Sequence, residues 1–248
     1  NIENVWIDSR NLIKTDTTYR DAVVDWTKTE NNIKNQIQSE KLYITQGFIG
    51  SDPNHFSVTL GREGSDYSAA IFAYCLDAKS VTIWKDVPGV LNADPRYFED
   101  TTLLNQISYR EAIELAFYGA SVIHPKTLQP LQKKEIPLYV KSFVNPTLPG
   151  TCVSKGADLE PETACFIVKK NQLLVSISSK DFSFIMENQV SDIFKTFGEQ
   201  HIKVNVIQNA AISFTVCVED KFGNFETILE DLSNNFNVTF NENVSLYT

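Results

Sequence analysis

The chain has 248 residues, 42% of them hydrophobic and 21% charged, enough apolar content to bury a sizeable core in one large domain or two smaller ones. A net charge of −9 runs against nucleic-acid binding, which requires a basic surplus. No apolar run approaches the roughly 20 residues that span a bilayer, and no secretory leader is expected, so the location expected is cytoplasmic.

The four cysteines, Cys75, Cys152, Cys165 and Cys217, form no Cys-x-x-Cys pair and are expected as free thiols. The three histidines, His55, His124 and His201, are scattered, and no metal site is expected. The chain begins at Asn1 rather than Met, which suggests processing or a fragment.

In chain order, Val5-Trp6-Ile7 reads as a short strand. A polar helix follows at about 28–39, with Ile33 and Ile37 on its apolar side. Leu42-Tyr43-Ile44 is a strand that runs into Gln46-Gly47-Phe48-Ile49-Gly50, and residues 51–54 (Ser-Asp-Pro-Asn) carry turn chemistry. Next comes a Gly-rich stretch, Gly61-Arg62-Glu63-Gly64-Ser65-Asp66. Ser65 reads as the N-cap of a helix at about 66–77 that buries Ala69, Ala70, Phe72, Ala73 and Leu76.

Residues 81–84 form a strand that ends in Lys85-Asp86-Val87-Pro88-Gly89-Val90, and Asp94-Pro95-Arg96 lies in a loop. Ser108-x-x-Glu111 is a capping box ahead of a helix to about Tyr118, closed by Gly119. Pro125 opens another helix, with a structural role expected for His124, and residues 138–140 form a strand. Alternating strands and helices predict an α/β fold with a mainly parallel sheet, whose ligand crevice lies beyond the C-terminal strand ends.

The Pro- and Gly-bearing stretch 145–161 reads as a linker holding a short strand at 151–153. Beyond it, strands at 173–177, 204–207, 213–218 and 238–240 alternate with helices at 189–198 and 225–234. That β-α-β-β-α-β order describes a ferredoxin-like module. Residues 244–247 look like the start of a further strand.

Two glycines around an arginine, ahead of a helix N-terminus, suit a phosphate or carboxylate; a plain structural turn is the other reading. Arg62 supplies a fixed cation, and Asp66 could position lysines or Mg²⁺ in phosphoryl transfer. The stretch is neither the dinucleotide fingerprint nor a P-loop. Lys85-Asp86 is either a functional strand end or a solvated turn pair. Asp94-Pro95-Arg96 is likewise either functional or an exposed turn. Gln208-Asn209 is either a hairpin-like turn or a pair of amides for an amino acid's backbone groups.

Four stretches taken jointly resemble the aspartate kinases of the amino-acid kinase family. They are residues 45–50, residues 59–67, the loop Trp84 to Val90 with Ala93-Asp94-Pro95-Arg96, and the run from Ser108 to Pro125. Residues from about 164 onward resemble the regulatory ACT domain that follows the kinase part. The resemblance implies a kinase portion at 1–155 and an ACT portion at 164–248. It implies transfer of the ATP γ-phosphate to the β-carboxylate of L-aspartate, with Mg²⁺, giving 4-phospho-L-aspartate, the first step towards lysine, threonine and methionine.

By position, the resemblance places Arg62 on the aspartate carboxylate, Ser65, Thr45 and Gly47 at the substrate, and Asp66 in the transfer site. It places Lys85, Asp86, Leu91, Arg96, Ser121 and Val122 in the ATP pocket. Phe182, Ile185, Val204, Asn205, Gln208 and Asn209 fall where a feedback amino acid, lysine or threonine, would bind. A homodimer through the ACT portions is also implied.

Family members often carry Thr at position 85, Tyr at 91 and Lys at 121, and Glu63 stands at a frequent glycine. Some lysine-binding members carry an acid where Asn205 and Ala211 stand. The family's opening Lys-Phe-Gly-Gly-Thr-Ser has no counterpart here, nor does the second ACT repeat. An internal fragment with little activity of its own is therefore expected. The alternatives are another amino-acid kinase, such as an acetylglutamate kinase, and a non-catalytic amino-acid sensor.

Overall fold

The computed structural model describes residues 2–38, 40–120, 122–156 and 158–248. The chain divides into two compact units, Asn1–Cys165 and Phe166–Thr248.

In the first unit, β1 (Val5–Trp6) pairs in parallel with β2 (Tyr43–Ile44). The short helix α1 (Ser9–Leu12) follows β1. Helix α2 (Trp26–Gln36) starts two residues earlier than its apolar spacing suggests, because the Asp25 side chain accepts the Lys28 N–H as an N-cap. β3 (Ile49–Ser51) and β4 (Ser57–Thr59) form an antiparallel hairpin. Its turn is held by the Asp52 carboxylate, which accepts the N–H groups of Asn54 and Phe56.

Helix α3 (Gly64–Cys75) leads to β5 (Val81–Lys85). β6 (Gln106–Ser108), α4 (Tyr109–Tyr118), α5 (Pro125–Lys134), β7 (Leu138–Ser142) and β8 (Thr151–Ser154) complete the unit. The main sheet runs β5-β7-β8-β6. β5 and β7 are parallel, as are β6 and β8, but β7 and β8 are antiparallel, so the sheet is mixed rather than wholly parallel.

The connection from β7 to β8 is too short for a crossover, which forces the reversal. Gly150 makes it possible at φ 75°, where a Cβ would lie 2.1 Å from the Val140 carbonyl oxygen. The strand expected inside a linker is therefore an inner strand of this sheet. Thr151 ties it down: its hydroxyl donates to the Leu104 carbonyl at 2.6 Å and accepts the Val90 N–H at 2.8 Å.

Helix α3 lies between two apolar clusters. Ala70 and Ala73 pack with Ile83, Leu104, Leu128, Leu138 and Val140. Tyr67, Ile71 and Cys75 pack with Leu12, Ile33 and Leu60. A helix buried on two sides does not show one apolar stripe. That is why Leu76, expected in the core, is 39% exposed, while Tyr67 and Ile71 are buried. All four cysteines are free, and burial pushes the Cys75 thiol up to about 12.

The second unit comprises β9 (Val168–Ser179), α6 (Glu187–Glu199), β10 (Lys203–Asn209), β11 (Ser213–Glu219), α7 (Phe225–Asn235) and β12 (Phe236–Tyr247). Its sheet is antiparallel with order β10-β11-β9-β12. Val175, Ile177, Phe197, Phe214, Val216, Ile228 and Leu232 form its core. Residues 244–247 do not begin a new strand. They continue β12 through two register shifts and pair with the first half of β9, which is long enough to hold them. Among the described residues no helix is long and apolar enough to cross a membrane.

Candidate active site

β4 runs into the loop that opens α3. Gly61 adopts φ 84°, and a Cβ there would stand 2.1 Å from Asp21 Oδ1. Glycine thus lets the loop seat against an ion pair between Asp21 and Lys126. Lys126 also donates to the Leu60 carbonyl at 3.2 Å, with its ammonium 5.6 Å from the Tyr67 ring centre.

Glu63 follows in the left-handed region, φ 54° and ψ 33°, and occupies the N-cap position without a side-chain hydrogen bond. Ser65 is therefore not the cap. The positive φ at Glu63 turns the chain into the helix at Gly64, which places Ser65 inside the first turn, exposed. The first-turn N–H groups of α3 meet no capping side chain, and such groups suit an anion.

Residues 45–48 lie beside this helix start. Phe48 N–H donates to Ser68 Oγ at 2.9 Å, Ser68 donates to the Gly64 carbonyl at 2.8 Å, and Leu60 N–H donates to the Phe48 carbonyl. A Cβ on Gly47 would meet Ser65 Cα at 3.1 Å. Half-buried Thr45 precedes Gln46, whose Oε1 accepts the Ser9 N–H at 2.9 Å. The structure therefore gathers Gly47, Arg62, Ser65 and Asp66 around one helix end, with Arg62 exposed and in no ion pair among the described residues.

Asp66 reaches from the first turn of α3 to the end of β5. Its Oδ2 lies 2.8 Å from Lys85 Nζ, the two side chains being 14% and 20% exposed. That oxygen is shielded from solvent, and the contact lacks the alignment of a hydrogen bond. The resemblance implies a place in the transfer site for Asp66 and one in the ATP pocket for Lys85, and the two side chains touch.

The other nucleotide-side residues are more dispersed. Asp86 is exposed, and Leu91 is half-buried in a bridge with Leu103. Arg96 pairs with Asp94 at 2.6 Å on the surface, and its guanidinium holds the Asp94 carboxyl below the usual carboxylate range. Val122 packs against the main core, and Ser121 lies outside the described residues. His124 caps α5 by accepting the Lys126 N–H on Nδ1 at 3.2 Å, and burial holds its pKa down. Sequence reasoning missed Asp21, Ser68 and Lys126, whose roles depend on partners distant in the chain. Only the glycine at 61, where a side chain would strike Asp21, hints at one of them.

In the second unit, Val204 and Asn205 sit at a register shift of β10. The shift turns Asn205 inward, where its amide donates to Gln172 Oε1 at 2.6 Å and its oxygen accepts Lys169 Nζ at 2.8 Å. Gln208 and Asn209 pair with Thr215 and Phe214, so they end a strand and do not form the turn itself. Ile185 is buried and Phe182 is 82% exposed at φ 59°.

The fold of the first unit and its two loops at one helix end define the class of protein. Residues 2–142 match the amino acid kinase family, and the chain belongs to that family. Within it, the chain is similar to aspartokinases. It is 32% identical over 221 residues to lysine-sensitive aspartokinase 3 of Escherichia coli (strain K12), covering 88% of this chain and 49% of that protein.

The crystal structure of E. coli aspartokinase III in complex with lysine and aspartate, a T-state, superposes with a TM-score of 0.82 at 31% identity. It covers 99% of this chain and 56% of that chain. The same enzyme in complex with aspartate and ADP, an R-state, gives 0.80 at 30%, covering 99% and 57%. The chain thus spans about half the length of these relatives.

Proposed function

We propose that the protein carrying this chain transfers the γ-phosphate of ATP to the β-carboxylate of L-aspartate. The observation that carries the reading is the meeting of the acceptor-side helix start with the nucleotide-side strand end, through Asp66 and Lys85. E. coli aspartokinase III, crystallised with aspartate and ADP, supports it by similarity.

In this reading Arg62 clamps an aspartate carboxylate, and the open first turn of α3, with Ser65, Thr45 and Gly47 beside it, orients the acceptor. An ionised β-carboxylate oxygen forms the new O–P bond. The bond from the γ-phosphorus to the β,γ-bridging oxygen breaks, and its electron pair leaves on ADP. No proton need move. The protein's task is to hold two anions in line and offset their charge, which one lysine, one arginine and free amides can do.

The donor set fits phosphate oxygens. Among the described residues no group of three His, Cys, Asp or Glu gathers to hold a metal. Mg²⁺ would therefore be held chiefly through the phosphates, where it supplies further charge neutralisation.

The β-α-β-β-α-β order of the second unit supports an ACT-type regulatory role, with lysine or threonine as effector along β10, from Val204 near its start to Gln208 and Asn209 at its end, with Phe182 and Ile185, and pairing of two such units into a homodimer. Asn205, already bonded to Gln172 and Lys169, would act by holding the register shift near the start of β10.

The test traps the acyl phosphate with hydroxylamine, in the full-length natural protein with MgATP and L-aspartate. Hydroxamate should form with aspartate and not with N-acetylglutamate. Arg62→Ala should raise the aspartate KM about tenfold or more, the worth of one charge-assisted pair. An unchanged KM would remove Arg62 from the acceptor site.

A further inference from the structure

The loop 93–101, which carries Asp94 and Arg96, is closed at its base by residues 90–92 and 102–104. Asn92 N–H donates to the Thr102 carbonyl at 2.9 Å, and its side-chain Oδ1 accepts the Thr102 N–H at 2.7 Å. Leu91 bridges to Leu103, and Leu104 N–H donates to the Val90 carbonyl. That closure uses one half of the Asn92 amide. The other half reaches elsewhere: Nδ2 donates at 3.0 Å to the carbonyl of Ala164, 72 residues further along the chain. Asn92 is buried, so neither half can lose its partner without leaving a polar group unpaired.

Ala164 belongs to the last segment of the first unit, residues 158–165, from which the chain passes directly to Phe166 and the second unit. That segment is seated on the first unit in several places. Glu160 exchanges backbone bonds with Asn105 and Gln106, and Leu159 and Cys165 pack against the main core. The Asn92 amide holds its far end, one residue before Cys165. The base of the nucleotide-side loop and the exit towards the second unit therefore share one side chain.

We propose that Asn92 is a positioning residue that couples nucleotide binding to the seating of this exit segment. The closed loop aims Nδ2 at Ala164, and the seated segment in turn holds the loop closed. This rests on the kinase reading above and names a regulatory route into its nucleotide side. Coupling between sites is reciprocal. A bound nucleotide tightens the seat, and anything in the second unit that draws residues 164–165 away weakens nucleotide binding by the same factor.

Cys165 is a built-in reporter. It is half-buried where the segment is seated, and burial together with the Glu111 carboxylate pushes its thiol up, so it reacts slowly until the segment lifts. The test follows alkylation of Cys165 in the full-length natural protein by peptide-resolved mass spectrometry, with buried Cys75 as the measure of global unfolding. Saturating MgATP should slow Cys165 alkylation about fivefold or more. Asn92→Asp keeps an oxygen for the Thr102 N–H but sets a second oxygen against the Ala164 carbonyl. It should abolish the MgATP effect on Cys165. It should also weaken MgATP binding, measured by calorimetry, by the factor of protection seen in wild type.

Wild-type Cys165 alkylation that MgATP leaves unchanged would overturn the proposal, and so would MgATP protection that persists in Asn92→Asp. Rapid alkylation of Cys75 in the variant would show that Asn92 is needed simply for folding and would overturn it too. Wild-type protein that forms hydroxamate with aspartate while giving any of these results leaves the kinase reading standing. Protein that forms none overturns that reading and this proposal with it.

Discussion

Helices α3 and α4 begin in opposite ways within one unit. At the start of α4, Ser108 Oγ accepts the Glu111 N–H at 3.1 Å, and the Glu111 carboxylate accepts the Ser108 N–H at 2.9 Å. Two orphan donors are satisfied reciprocally, and the end is sealed. At the start of α3, Glu63 takes a left-handed conformation and offers no side chain to the first turn. A sealed helix end has used the donors that an anion would need, whereas an open one keeps them. The open end is also the one flanked by Arg62 and met by Lys85. An open helix start keeps donors for the anion that the proposed function requires, whereas a sealed one spends them on stability.

The strongest way to break this comparison is Gly61→Ala. The substitution strains a residue at φ 84° and pushes a methyl into Asp21, loosening its pair with Lys126. A loss of about 1–3 kcal/mol in urea denaturation is expected. A loss below about 0.5 kcal/mol would mean that the loop does not depend on its glycine.

Next in size is a matched pair of serine substitutions. Ser108→Ala removes a working cap and should cost about 1 kcal/mol. Ser65→Ala removes an exposed hydroxyl that caps nothing and should stay within about 0.5 kcal/mol. Equal losses at the two sites would erase the distinction between sealed and open ends.

The smallest effect sharpens the comparison with a third helix start. His124 caps α5 through Nδ1, and burial lowers its pKa from the ordinary 6.5. The unfolded chain then binds the proton more readily than the folded one. The cap's contribution is therefore complete above pH 6.5 and is lost as pH falls through the lower folded value. Thermal melts between pH 7.5 and 5 should show an acid-side loss in wild type that is smaller in His124→Asn, which keeps a capping side chain that does not titrate. Parallel profiles would remove His124 as the cause.

Much of the fold was legible because its signals are local. The Ser108–Glu111 box, the Gly119 stop, the Pro125 start and the Ser51–Asn54 turn each depend on residues within one turn of each other. The Gly-rich stretch could be read as an anion loop, and the four motifs pointed to the family that residues 2–142 match. Less legible were features set by packing. Leu76 looked like core, yet α3 turns Tyr67 and Ile71 inward because it is wedged between two clusters. Ser65 looked like a cap, yet the backbone at Glu63 moves the helix start upstream of it.

By itself the sequence determined which chemistry is present: an arginine between glycines, an aspartate in a first helical turn, and a lysine at the end of a strand. Those follow from residue types and short-range preferences. Only the tertiary structure decided which of them meet. The contact of Asp66 with Lys85 follows from where β5 emerges beside α3, and the seat of Gly61 on Asp21 and Lys126 from how α5 packs. The antiparallel turn from β7 to β8 and the inward rotation of Asn205 likewise depend on strand partners. The physical reason is range. Capping and turn preferences act over a few residues, whereas the burial of two apolar clusters sets the distances between loops far apart in the chain.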